Sequence, residues 1–356
     1  NLVYLKQYHI IKENTFLYPF LVLLISFSIS VVNSINPIDS FLGMIQLAFI
    51  FIVVYLSLVY VNNFKELTLL FTISTSLIII FLSIFSIFGI DLTYGMALLE
   101  NGWGGRYTFG ANEPNIAARL ILQSIPILLI LIFFSKKFLV SFMSSIMFLL
   151  SVYIVIATAS RSALLILLFG IVIFLIFANR IKRNYKNFFY ISVILISTCC
   201  LLFLHNTEYD SFRTPLDRYT TIFDIRKSAS SMERYNIIQM AFHQINKSPL
   251  IGLGYENSDH YTKIFVHNPL ILIWLENGFL GIVSLLTIYA LMIFYVYKAY
   301  KYSFFKDPFF MALSVITLMM IFGDMFMANS YKRYLWLPPM LMILQYKKFL
   351  NKGKFV

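Results

Sequence analysis

The sequence predicts an all-α, polytopic membrane protein: a bundle of about ten transmembrane helices with one large, partly helical extracytoplasmic loop. Three observations predict it. Hydrophobic residues make up 60% of the chain against 12% charged, and the mean hydropathy is +0.80, far from a soluble domain. Apolar stretches recur that approach or exceed the ~20 residues a helix needs to cross ~30 Å of hydrocarbon. One polar segment, residues 205 to 268, is too long for a plain connection and carries helix and turn signals of its own. The whole chain, 1–356, is read as a single integral membrane domain.

Taken in order, the spans are placed at 15 to 32, 40 to 61, 67 to 89, 115 to 134, 138 to 156, 162 to 179, 188 to 204, 269 to 297, 308 to 327 and 331 to 346. Lys6 and Lys12 precede the first span and no small-residue cleavage site follows it, so it is expected to stay as an anchor. In a ten-span arrangement Lys6, Lys12, Lys65, Lys136, Lys137, Arg180, Lys182, Arg183 and Lys186 fall on one side. Lys298, Lys301, Lys306, Lys347, Lys348, Lys352 and Lys354 join them there. The excess of basic residues marks that side as cytoplasmic and puts both termini there. The formal net charge of +12 is thereby spent facing anionic lipid and gives no sign of nucleic acid. Cys199 and Cys200 are adjacent in an apolar span and read as buried thiols rather than a disulfide or metal pair.

Two connections are longer than the rest, and both fall on the outer face. Residues 90 to 114 contain Gly95, Gly102, Gly104, Gly105, Arg106 and Gly110. Within 205 to 268, Ser230 and Glu233 have the spacing of a capping box, and Ile237, Ile238, Ala241, Phe242 and Ile245 follow as one apolar stripe ended by Pro249. That helix is expected to lie on the membrane domain with Arg234, four residues before Ile238, turned inward.

Several polar residues have two readings each. Arg161, in the run ATASRSALLILL, is either an interfacial charge that snorkels to headgroups or a phosphate ligand, for which its forked donors suit it. Arg234 is either half of a capping-turn ion pair or a second anion ligand. His267, ahead of Asn268 and Pro269 at a helix start, is either a satisfied interface residue or a general base, since a neutral imidazole takes up a proton near pH 7. His260, in a polar turn seven residues earlier, is a weaker competitor and is given no role. Arg106 is an ordinary loop arginine or a further ligand. Arg119, Glu276 and Asp324 stand within apolar spans, where a charge must face a polar cavity, an interface or a partner.

The Gly252-x-Gly254 turn, His267-Asn268 and the apolar run closing on Glu276-Asn277-Gly278 together resemble the signature of the O-antigen ligase and O-antigen polymerase superfamily. Ser160-Arg161 before a small-residue helix start resembles its second motif, Arg234 some 18 residues before the glycine turn its loop arginine, and Arg106 with Gly110 before Pro114-Asn115 a further stretch. The resemblance covers roughly residues 100 to 290. It implies a membrane glycosyltransferase of the C type in the bacterial inner membrane, with its active site at the periplasmic face. In it Arg161 and Arg234, with Arg106, hold the pyrophosphate of an undecaprenyl-linked oligosaccharide while His267 activates the acceptor hydroxyl. Asn268, Gly252, Gly254 and Glu276 complete the substrate site, and Arg161, Arg234 and His267 are expected to line one outer-leaflet cavity. No cofactor is implied; membrane lipid and a chain-length regulator protein are the further partners of such an enzyme.

A polymerase passes the chain to another lipid-linked repeat unit, a ligase to the lipid A core or a protein. The short, strongly biased chain resembles polymerases encoded among polysaccharide genes. No Asp-x-Asp occurs, nor Cys or His at zinc spacing, so metal-free transfer is expected. A polysaccharide flippase, from another class, would also be basic and polytopic, but it would concentrate charge at the midplane and repeat its halves, and neither pattern is visible.

Overall fold

A computed structural model describes residues 17–60, 73–74, 77, 114–179, 229–262, 266–301, 306–326 and 336–351. The described residues are helical with no strand. The helices are α1 (Leu17–Ser30), α2 (Pro37–Tyr60), α3 (Pro114–Leu122), α4 (Ile125–Phe134), α5 (Phe138–Ala157), α6 (Arg161–Asn179), α7 (Ala229–Ile245), α8 (Ser258–Thr262), α9 (Pro269–Lys301), α10 (Pro308–Asp324) and α11 (Leu337–Asn351). Four helical stretches among them are long and apolar enough to cross a membrane: Pro114–Phe134, Phe138–Ile156, Arg161–Asn179 and Pro269–Lys301. With such segments the chain is a membrane protein. Eight of the ten expected spans thus meet a helix. The span at 188 to 204 and nearly all of that at 67 to 89 lie outside the described residues, as do Cys199, Cys200 and Arg106.

The fourth span meets the stretch Pro114–Phe134 as expected, with a turn at Gln123 and Ser124 that divides it into α3 and α4. Two expectations need correction. The last helix, Leu337–Asn351, runs past the expected end at 346, while residues 331–335 lie outside the described residues. The helix of the large loop starts at Ala229, which makes Ser230 its second residue rather than its cap.

The chain forms two compact units. In one, Asn1–Asn62 and Ser228–Tyr302 combine with Met320–Val356, and α1 packs along α9 while α7 lies on α9 and α11 touches both α2 and α9. Aromatic side chains fill these contacts: Phe27 stacks on Tyr255 at 4.5 Å and Phe20 meets Trp336 edge-on at 6.2 Å. Such pairs add roughly 0.5–1.5 kcal/mol beyond their burial. In the other, Asn63–Lys227 with Ser303–Met319, α3 and α4 are the buried pair. Residues Ile125 to Ile130 are covered on every side, and Phe133 packs on Phe174 of α6. Gly170 lets the thioether of Met319 lie directly on α6, where any Cβ would collide with it.

Candidate functional site

Helix α9 does not run straight. At Gly278 the backbone leaves helical geometry (φ 68°, ψ −165°), a left-handed conformation that glycine adopts without the penalty a Cβ brings. A break frees carbonyls and N–H groups that a buried helix must satisfy elsewhere. The Gly252-x-Gly254 turn supplies the partners. Leu253 N–H donates to the Leu275 carbonyl at 2.9 Å, Gly254 N–H to that of Glu276 at 3.0 Å, and Phe279 N–H to those of Pro249 and Leu250 at 3.0 and 3.2 Å. The two strips of backbone meet so closely that a Cβ on Gly252 would lie 2.4 Å from the Glu276 carbonyl oxygen, and one on Gly278 2.2 Å from that of Leu250. Gly252 and Gly254, with φ of 83° and 101°, are both buried. What the structure shows for them is docking of a turn onto a broken helix.

A second clamp holds the same turn. Asn257 is fully buried and its Nδ2 donates to Ser34 Oγ, Ser40 Oγ and the Tyr255 carbonyl at 2.7–2.9 Å. Its Oδ1 accepts from Asn36 N–H at 3.1 Å. Asn33 Nδ2 reaches the Gly252 carbonyl at 3.0 Å. The connection between α1 and α2 is thereby fastened to the segment 252–257.

Glu276 sits just before the break with 1% exposure, and its Oε1 accepts from Ser258 N–H, the first residue of α8, at 3.1 Å. Next to it Asn277 donates to Ser30 Oγ at 3.3 Å, and its Oδ1 has no partner among the described residues. Asp324, the other acid expected to need company, accepts a hydrogen bond from Tyr289. Burial pushes the phenol of Tyr261, in α8, above its ordinary pKa, so it stays a donor.

Asn268 caps α9. Its Oδ1 accepts from the N–H groups of Leu270 and Ile271 at 3.0 and 3.2 Å, and Pro269 fills the first helical position. This fixes the half-buried His267 one residue ahead of the cap. Val266, before it, belongs to a small core with Leu272 and Leu275 of α9 and Ile237, Ala241 and Ile245 of α7. The segments bearing His267 and Arg234 therefore share one apolar anchor. Of the expected stripe on α7, Ile237, Ala241 and Ile245 are buried, Ile238 is half-buried and Phe242 is exposed. Its ring meets Trp274 edge-on at 6.2 Å. Arg234 is half-buried, at the flank of that stripe rather than beneath it.

Arg161 belongs to the other unit, where it opens α6. The turn before it is tight: Ala159 is wholly buried with φ 49°, an uncommon conformation for a residue with a Cβ. Ser160 Oγ accepts from Ala163 N–H at 3.4 Å. Arg119, in the same unit, is 5% exposed and donates through Nε to the Asn115 carbonyl one turn back. Among the described residues no group of three His, Cys, Asp or Glu gathers in a way that could hold a metal ion.

Residues 146–286 match the family model described as O-Antigen ligase. That segment is similar to the O-antigen ligase family. The resemblance seen in the motifs is upheld, and the domain contains Arg161, Arg234, Gly252, Gly254, His267, Asn268 and Glu276, while Arg106 falls before it. No curated protein matches the chain. The match supports a function of the O-antigen ligase or polymerase type.

Sequence reasoning passed over Asn257 and Asn33, and it took Gly278 as the end of a motif rather than as a helix break. The first two gave no signal, because a lone asparagine in a polar turn is commonplace. Gly278 did give one: an isolated glycine inside an apolar helical run.

Proposed function

We propose that the chain is a polysaccharide polymerase of the O-antigen or capsule kind, which moves an oligosaccharide from an undecaprenyl-pyrophosphate donor onto a lipid-linked repeat unit at the outer face of the bacterial inner membrane. The observation that carries this reading is one O-antigen ligase domain holding two arginines and a histidine of the motif set. Arg161 and Arg234, with Arg106, neutralise the pyrophosphate through forked, permanently charged donors. His267 takes the proton of the acceptor hydroxyl. The freed oxygen attacks the anomeric carbon, the bond from that carbon to the pyrophosphate oxygen breaks, and undecaprenyl pyrophosphate leaves with both electrons. The capped start of α9 supports this role, because the Asn268 cap holds the ring at a helix head.

The roles separate by mutation. His267→Ala is expected to leave donor binding largely intact while lowering turnover on the order of 10²- to 10⁴-fold, whereas Arg161→Lys weakens donor capture as well, since lysine lacks the fork. The measurements are polymer laddering and binding of the lipid donor by the purified protein. Near-normal polymer from His267→Ala removes it as the base. Transfer of a single glycan to lipid A core, without laddering, makes the protein a ligase instead.

A further inference from the structure

The turn Pro249–Ile251 is exposed yet apolar: Leu250 is 69% and Ile251 42% accessible. In water such a turn would show its backbone to solvent, but here the carbonyls of Pro249, Leu250 and Gly252 and the N–H groups of Gly252, Leu253 and Gly254 are turned into the protein. The Pro249 carbonyl accepts from Trp274 Nε1 and Phe279 N–H, and that of Leu250 from Phe279 N–H. The Gly252 carbonyl accepts from Asn33, and the N–H groups of Gly252, Leu253 and Gly254 reach carbonyls of Ser248, Leu275 and Glu276. Apolar side chains outward with backbone polar groups satisfied inward is the condition for irregular chain at membrane depth.

The position of the turn along α9 fixes its depth. Counting back from Lys298, twenty residues at ~1.5 Å each cover the ~30 Å of hydrocarbon and end at Gly278 and Phe279. The turn is bonded to Phe279. The exposed face of α9 then runs on through Phe279, Leu280, Val283 and Leu286, the face of a spanning helix that meets lipid. On the other side the turn is preceded by exposed Asn246 and Lys247, polar groups suited to headgroups.

We propose that Pro249–Ile251 is immersed in the bilayer at the hydrocarbon boundary of the leaflet opposite Lys298 and Lys301, with acyl chains covering Leu250 and Ile251. The turn is a lipid-embedded wedge, and it anchors the α9 break at a set depth. This holds whichever acceptor the enzyme uses.

Nitroxide labels on Leu250→Cys and Ile251→Cys, each in a background with Cys199→Ser and Cys200→Ser, report it in phosphatidylethanolamine–phosphatidylglycerol vesicles. Collision rates with oxygen and with a water-soluble nickel chelate are compared with those at Leu286→Cys and at Gln239→Cys, an exposed polar site on α7. Oxygen is expected to dominate at 250 and 251, as at 286. Nickel dominating, as at 239, would place the turn in water, and weak collision with both reagents would mean protein covers it. Either outcome overturns the proposal.

Discussion

Asn268 poses the sharpest question at the scale of single residues. Its Oδ1 is committed to the N–H groups of Leu270 and Ile271, which leaves only its Nδ2 to address a substrate. Serine also caps helices well but has no amide nitrogen. If Asn268 acts by holding α9, and His267 with it, Asn268→Ser keeps most polymer formation. Asn268→Ala then costs about 1 kcal/mol of stability and part of the activity. A large drop with serine, at unchanged thermal stability, would instead show that the amide touches substrate. Ala159 is the other residue with an unexpected demand placed on it: a buried alanine at φ 49° before Arg161 stores strain of order 1–2 kcal/mol, and the alternation Ala-Thr-Ala-Ser gives no hint of it in the sequence.

Among the elements, α9 decides how the site is built. An unbroken helix of its length would reach ~50 Å, well beyond the membrane, and the left-handed Gly278 divides it where the glycine turn docks. Gly278→Ala would put a Cβ 2.2 Å from a backbone oxygen in an already disfavoured conformation. A loss of stability on the order of 2 kcal/mol is expected, read as a lower unfolding temperature of the purified protein in detergent. Wild-type unfolding of Gly278→Ala would mean that the break is not needed. The elements were legible where periodicity and length speak, as in α5 and α6, whose bounds match the apolar runs to within a residue. The breaks at Gln123–Ser124 and Gly278 were not, because a short polar run such as Gln123-Ser124 or Glu276-Asn277-Gly278 does not by itself end a helix and the backbone bonds that stabilise the second come from residues some 25 positions away. Arg234, His267 and the glycine turn were visible as a pattern, whereas the shared core of Ile237, Val266 and Leu272 that ties the first two together is a tertiary fact.

For the whole molecule, the absence of Asp-x-Asp makes a prediction about metal. Polymer formation by purified protein from a lipid-pyrophosphate oligosaccharide is expected to persist in EDTA, since Mg²⁺ and Mn²⁺ are held mainly by carboxylates and the proposed donor ligands are arginines. Loss of activity in chelator, restored by one added cation, would overturn the arginine account.

The docking of residues 249–254 onto 275–279 has a consequence for engineering. Neither strip retains its bonding alone: each supplies the acceptors or donors that the other lacks, Asn33 and Asn257 tie the turn to the connection between α1 and α2, and Asn277 ties the broken helix to Ser30 of α1. A chimera that grafts the outer loop of a relative onto this scaffold must therefore exchange three non-contiguous stretches as one cassette, 33–40, 248–258 and 275–279. Splicing at the apparent loop ends would leave unmatched backbone facing lipid.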